Sequence, residues 1–334
     1  MRTINIFTYK FTDFLILNAY SVNSLGLYNG KAGISLCLFE LAQYLKDETL
    51  EDKALELLQE TLALSSKGEA INFEAGLSGI GFVLLYLIQN QILDADYKDL
   101  FEEQNQKVIS RLQEKSNFSV KDLSFVIFLD LLAKLADNEE INVLIDRILT
   151  DIEKSLNEQL DKFYSTDSGV TKLKVLNDLD HYLKTLVLCK KSPSKELINR
   201  YATLYEKGKI ASLFSTGYYL KKLISDENTY NTAQTIKDNA AQNIYPDSLT
   251  LAQRIDLLYL LTQENCRYQK QIELLEQDLF DFNNQDYEKK LISLIQNQGL
   301  LAGYSSGIAR LLLYWVYRES RQKGLDYSRF KYLF

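Results

Sequence analysis

The sequence predicts an all-α protein organised as an α/α toroid (barrel), with about seven buried helices forming an inner ring inside seven outer ones. Three observations carry this expectation. First, a glycine-rich joint occurs three times, as Gly26-Leu27-Tyr28-Asn29-Gly30-Lys31-Ala32-Gly33-Ile34, as Phe73-Glu74-Ala75-Gly76-Leu77-Ser78-Gly79-Ile80-Gly81, and as Gly299-Leu300-Leu301-Ala302-Gly303-Tyr304-Ser305-Ser306-Gly307-Ile308. Each joint leads into a run that is apolar nearly all the way round, as a helix buried on most sides must be. Second, segments with a single apolar stripe alternate with these runs, and few windows show the two-residue alternation of a strand. Third, nine of the 14 glycines lie in the three joints, so glycine marks a repeated device in which one backbone approaches another closely.

Taken in order, the first joint opens the apolar run Ser35 to Ala42. Leu50, Ala54, Leu57, Leu58 and Leu62 then form a one-faced stripe with Glu51, Asp52, Glu56 and Glu60 outward. The second joint and its apolar helix follow, then a stripe through Val108, Ile109 and Leu112 and the apolar segment Phe125 to Leu132. Gly33 to Gly79 spans 46 residues and Gly79 to Ser124 spans 45, a period typical of a helix-pair repeat. Ile141, Leu144, Ile145, Ile148, Ile152 and Leu156 make the next outer stripe. It leads to Asp167-Ser168-Gly169-Val170 and a helix through Leu173, Leu176, Leu179, Leu183 and Leu186. Leu197, Ile198, Tyr201 and Leu204 precede Phe214-Ser215-Thr216-Gly217. A polar outer segment near Thr229 to Gln242 precedes Pro246-Asp247-Ser248 and the apolar Ile255 to Leu261, and Ile272, Leu275 and Leu279 lead into the last joint. Seven joints are therefore expected, near Gly33, Gly79, Ser124, Gly169, Gly217, Ser248 and Gly307. An open solenoid would want polar repeats at its ends, but here the last repeat is among the most apolar, which favours closure.

The 334 residues suffice for a substantial core. The two prolines, Pro193 and Pro246, sit in short polar connections and no linker divides the chain, so residues 1–334 are expected to form a single domain. Lys and Arg number 38 against 45 Asp and Glu, a net charge of −7 with no basic block, which argues against nucleic acid as a partner. Met1 to Lys10 lacks the apolar stretch and cleavage site of a signal peptide. The apolar runs are broken by Glu40, Lys134 or Arg310 short of the roughly 20 residues a membrane span requires. Cys37, Cys189 and Cys266 show neither CxxC spacing nor an even framework, which points to a reduced, cytoplasmic setting. A glycine-rich loop opening a helix can also cradle phosphate, but Gly30-Lys31 is followed by Ala32 where a phosphate-binding loop needs Ser or Thr. Close helix packing is the favoured reading.

With these residues in view, the chain resembles the lanthionine synthetase C-like (LanC-like) family, whose commonest repeated signature is the Gly-Leu-x-x-Gly-x-Ala-Gly-Ile joint. The resemblance implies the seven-plus-seven toroid and a role in modifying ribosomally made peptides. Cyclases of the family add a cysteine thiolate to a dehydrated Ser or Thr, closing a thioether ring. A zinc ion held by two Cys and one His lowers the thiol's pKa. The fourth joint resembles the family's Asp-Leu-Gly-x-Ala-His-Gly motif, with Lys172 where the His belongs. The fifth resembles Trp-Cys-x-Gly, with Ser215 in place of the first zinc cysteine. The sixth, around Asp247, lacks the expected Cys-His-Gly. From Lys190 onward the only cysteine is Cys266 and there is no histidine. His181 and Cys189 are eight residues apart, about 12 Å along one helix, too far for ligands of one ion at about 2 Å each. No metal site and no cofactor are therefore expected.

Asp167 and Lys172, at a helix entrance facing the expected cavity, and His181, which follows Asp178 and Asp180, are the acid–base candidates. Asp167 and Lys172 read equally as a cap and a surface lysine, whereas His181 is read foremost as an exposed imidazole, since Asp178 and Asp180, two residues apart, point to different sides of the helix. Tyr28, Asn29, Ser215, Tyr218, Asp247, Tyr304 and Trp315 are the candidates for peptide binding, since rings at joints offer flat area and a hydrogen bond. Such rings also simply fill cores. The leading expectation is a zinc-free, non-catalytic LanC-like protein of lanthipeptide-type biosynthesis that binds a precursor peptide or a partner modification enzyme. The rivals are a zinc-independent lanthionine cyclase and an α/α-toroid enzyme acting on a glycan or polyprenyl chain. The last would call for a close carboxylate pair, and no spacing in the sequence supplies one.

Overall fold

A computed structural model describes residues 2–65, 70–136, 138–163, 169–211, 213–224, 227–264, 267–280, 286, 289 and 302–334. Among these the regular structure is entirely helical: α1 Arg2–Ala19, α2 Lys31–Leu45, α3 Glu48–Ser65, α4 Leu77–Gln89, α5 Tyr97–Glu114, α6 Leu123–Ala136, α7 Glu139–Phe163, α8 Gly169–Cys189, α9 Lys195–Glu206, α10 Phe214–Leu223, α11 Glu227–Gln242, α12 Leu251–Thr262, α13 Gln269–Phe280 and α14 Ile308–Gln322. Each expected joint lies at the start of an even-numbered helix. These helices carry the apolar runs, and α2 and α4 are continuously buried from Lys31 to Ala42 and from Leu77 to Leu87. The odd-numbered helices α3 to α13 carry the one-sided stripes. Helix α1, ahead of the first joint, has no counterpart among the expected repeats. No helix among the described residues is long and apolar enough to cross a membrane.

The chain divides into two compact units, one of residues 1–111 and 245–334 and the other of residues 112–244. In the first, α2 packs against α3, α4 and α14, while α14 also meets α1 and α12. The first and last joint helices are therefore neighbours, and the Cys37 thiol donates to the carbonyl of Ala309 at 3.3 Å across 272 residues of sequence. Beside them Tyr259, Tyr314, Tyr317, Phe330 and Phe334 form one aromatic cluster, with Tyr259 and Tyr317 5.1 Å apart between centroids and Tyr259 and Phe334 5.3 Å apart. Centroid separations of this order suit edge-on and offset packing.

In the second unit α6 packs against α7 and α8, α8 against α10, and α10 against α11. Its helix ends are tied by specific groups. Ser194 caps α9 by accepting from Leu197 N at 3.2 Å, which satisfies one of the otherwise unpaired first-turn donors. Arg147 donates to the carbonyls of Leu112 at 2.9 Å and Lys115 at 2.7 Å, and also to that of Gln113. Its guanidinium sits 5.0 Å from the Phe118 ring centroid. A cation is favourable at a helix C-terminus, where carbonyls are left unpaired.

Candidate functional site

The three glycine joints, remote in sequence, meet at one place in the first unit. The Tyr28 peptide links all three: its N–H donates to Glu74 O at 2.9 Å, and its carbonyl accepts from Ser305 N at 3.1 Å. Ser305 Oγ also donates to Asn29 Oδ1 at 3.4 Å, while the Tyr28 ring lies 6.3 Å from Phe73 and 6.4 Å from Tyr304. Glycine is needed where these loops touch. A Cβ on Gly26 would stand 2.2 Å from Ala75 Cα and 2.6 Å from Glu74 O. Backbone lies on both sides of that contact, so no rotamer change relieves it.

The joints also use up the polar groups that a phosphate site would need. Lys31 N and Ala32 N, at the start of α2, donate to Ser24 O and Leu25 O at 2.9 and 3.1 Å. At the start of α4, Leu77 N and Ser78 N donate to Ala70 O and Ile71 O. First-turn donors satisfied by their own loop are not offered to an anion. What remains accessible is a polar rim of exposed Asn72, Glu74 and Ala75 with half-buried Tyr28, Asn29 and Ser305.

The helices that the first two joints open also carry a charged network. Glu40, fully buried on α2, receives Arg329 Nε and Nη2, each at 2.8 Å, and the Tyr86 hydroxyl at 2.7 Å. Burial, then the neighbouring carboxylate, pushes the Tyr86 phenol well up. Burial works against the charge on Arg329, but its hydrogen bonds and attraction to Glu40 outweigh this and raise its pKa. The sequence signal was a lone carboxylate in an otherwise apolar helix, which requires a buried partner. Close by, the Arg310 guanidinium pairs with Asp256 and lies 5.4 Å from the Phe334 ring centroid. The Tyr304 hydroxyl donates to Leu333 O at 3.0 Å.

The remaining candidates divide between the two units. Tyr304 and Trp315 are buried in the first, and the Trp315 ring meets Tyr44 edge-on at 5.2 Å. Asp247 is fully exposed on the turn Pro246–Ser248, 3.8 Å from Arg254 Nη2. In the second unit Lys172 and His181 are half-buried on α8. They stand nine residues apart, about 13 Å along the axis, so no proton passes directly between them. Asp167 lies outside the described residues. Ser215 is half-buried and Tyr218 buried on α10, where Tyr218 meets Tyr219 edge-on at 5.4 Å. What α8 and α10 do bring together is Asp180 with Thr216, whose hydroxyl donates to the carboxylate at 3.0 Å. Nearby, burial raises the Asp178 carboxyl above its usual range.

The described sulfur donors do not fit a family-type zinc site. Burial, then Glu40, pushes the Cys37 thiol well up, and burial followed by Asp130 pushes Cys189 to about 12. Among the described residues no three of His, Cys, Asp and Glu gather within ligating reach. Cys266 lies outside them.

Comparison with known proteins gives one local and one whole-chain likeness. The family described as lanthionine synthetase C-like protein matches residues 21–125, which contain the first two joints. No curated protein matches the chain by sequence. Among solved structures, nisin cyclase is similar over 100% of this chain and 98% of its own, with a TM-score of 0.66 at 15% identity. At that identity the likeness speaks for fold alone. The chain is thus LanC-like in sequence over residues 21–125, and it shares with nisin cyclase the all-α fold expected from its repeats.

Proposed function

We propose that this LanC-like chain serves a lanthipeptide-type peptide-modification system as a zinc-free, non-catalytic member, in the cytoplasm, and that it binds a ribosomally made precursor peptide. The carrying observation is a whole-chain likeness to a cyclase combined with Lys172, Ser215 and Asp247 at the joints where the family's metal ligands would stand. On this reading residues 1–334 act as one domain. The accessible rim of Tyr28, Asn29, Glu74 and Ser305 contacts the peptide, offering one ring and several hydrogen-bonding groups without a buried charge. A partner modification enzyme is the other ligand this reading admits.

The alternative is a zinc-independent cyclase. It is favoured by the raised Asp178 carboxyl on the same helix as Lys172 and His181, since perturbed acids gather at working sites. One experiment separates the two. The protein is used to capture candidate precursor peptides, dehydrated and not, and the bound peptide is alkylated and weighed. Ring closure leaves peptide mass unchanged but consumes a thiol, so a lost alkylation site reports chemistry. Capture with every thiol still alkylated, weakened by Tyr28→Ala or Asn29→Ala, supports the non-catalytic reading. Thiol loss abolished by Lys172→Ala would replace it with the cyclase, and failure to capture any peptide or modification enzyme would remove both. One zinc per chain, lost on mutation of Cys189 or Cys266, would overturn the metal-free part.

A further inference from the structure

We infer that residues 326–334 sit on the first unit as a built-in peptide ligand, and that the groove they fill takes a separate peptide of the same pattern. That pattern is an arginine followed directly by an aromatic residue and, four residues further on, by a second aromatic. The inference does not depend on precursor binding at the rim and adds a second peptide site to the one proposed there.

The segment closes its own backbone and docks by side chains. After α14 the chain is exposed from Gln322 to Asp326 and then turns back as a short 3-10 helix, Ser328–Tyr332. Main-chain donors are satisfied inside the segment: Ser328 N by Asp326 Oδ1 at 2.9 Å, Phe330 N by Tyr327 O at 3.1 Å, and Leu333 N and Phe334 N both by Phe330 O. What the body receives is Arg329 together with Phe330, Leu333 and Phe334, the last three buried, while Ser328 and Lys331 stay exposed. Anchors at i, i+1, i+4 and i+5, with polar residues between them left to water, are the pattern of a short peptide laid in a groove.

The groove reads each anchor by its chemistry. The buried Glu40 carboxylate takes Arg329 Nε on one oxygen and Nη2 on the other, each at 2.8 Å. That two-pronged pairing uses the planar fork of an arginine, which a lysine lacks. Phe330 lies 5.8 Å from the Tyr317 ring, and Phe334 lies 5.3 Å from Tyr259 and meets Tyr314 edge-on at 6.2 Å. The Leu333 carbonyl accepts from the Tyr304 hydroxyl at 3.0 Å and from Arg310 Nη1 at 3.4 Å, which fixes the register of the main chain. Arginine and aromatic anchors in desolvated pockets carry most of the energy of such contacts. The walls have support of their own, since α2 packs against α3 and α4, and α12 against α13 and α14. A preformed groove loses little freedom when it is filled.

A protease site inserted between Leu325 and Asp326 of the full chain, in the exposed turn, lets the segment be cut loose in the folded protein. A fluorescent peptide of residues 326–334 is then titrated and followed by anisotropy. The cut chain should keep its helical circular dichroism, lose the segment on dilution and gel filtration, and bind the peptide with a Kd of about 1–10 µM. The uncut chain should bind it at least about 100-fold more weakly, because its own segment competes at an effective concentration of about 1 mM. Arg329→Met in the peptide should weaken binding by about 100-fold, but by only about fivefold on a Glu40→Gln chain, where no bare carboxylate is buried. A cut chain that unfolds or never releases the segment, equal binding to cut and uncut chains, or a reversed-sequence peptide that binds as well would each overturn the inference. So would a stable dimer of the uncut chain formed by exchange of the segment, which would make the occupant a second copy.

Discussion

Removing the guanidinium from Arg329 should destabilise the first unit far more than a surface substitution does. The carboxylate it faces, Glu40, is 0% exposed, whereas the Arg329 side chain is 21% exposed. Breaking a buried ion pair by deleting one partner costs about 3–5 kcal/mol, most of it for the charge left behind. Because a fifth of Arg329 already meets solvent, water can approach the vacated site, and the lower end, about 3 kcal/mol, is expected for Arg329→Met. The Tyr86 hydroxyl still donates to Glu40 and limits the loss further. In a Glu40→Gln background the same substitution leaves no bare charge, so its cost should fall to about 1 kcal/mol. Trp315, the only tryptophan and buried on α14, reports this unit by fluorescence. With a urea slope of about 2–3 kcal/mol/M, Arg329→Met should lower the midpoint by about 1–1.5 M. An equal shift in both backgrounds, or one below about 0.3 M, would refute the charge argument, since the cycle isolates the pair's own coupling.

Gly26→Ala should cost about 3 kcal/mol, because the added carbon meets Ala75 backbone rather than a movable side chain, and thermal melts can compare it with Gly208→Ala at about 1 kcal/mol, where only backbone conformation resists. Arg147→Ala removes hydrogen bonds to three carbonyls at the end of α5 and should lower stability by about 2 kcal/mol, read by circular dichroism. Iodoacetamide at pH 8 should leave Cys37 and Cys189 unmodified in the native protein and label both in urea, as peptide mapping will show. Both thiols are held protonated by burial, so the folded pKa exceeds the unfolded one. The stability this gives is whole below the ordinary thiol value of 9.0 and is lost as pH rises toward about 12, the range of Cys189. Urea midpoints that rise between pH 9 and 11 would contradict that sign.

The helical repeat was legible because it rests on short-range facts. Glycines at a fixed spacing, all-round apolar runs and one-sided stripes each dictate a local structure, and all seven joints begin a helix. Tyrosine count was ambiguous for a physical reason: a phenol suits a groove or a core equally, and only neighbours decide. Trp315 and Tyr304 proved to be packed inside, while Tyr28 stays half accessible. The Glu40–Arg329–Tyr86 network was harder to read, since Arg329 stands 289 residues from Glu40 and nothing local names it. The meeting of three joints at Tyr28 was likewise invisible, because a main-chain hydrogen bond leaves no mark on residue type. The fourth-joint acid Asp167 lies outside the described residues and stays an expectation.

One consequence of the Arg329–Glu40 pairing concerns the order of events at the ribosome. The helix bearing Glu40 leaves the ribosome well before Arg329, and the counter-charge that lets its carboxylate leave water is encoded almost three hundred codons later. A nascent chain can wind that helix early but cannot bury it fully until Arg329 has been made. Full burial of the helix bearing Glu40 is therefore timed by translation of Arg329. A product stalled before Arg329 is expected to expose the helix bearing Glu40 to quality-control proteases, however well the intervening helices have formed.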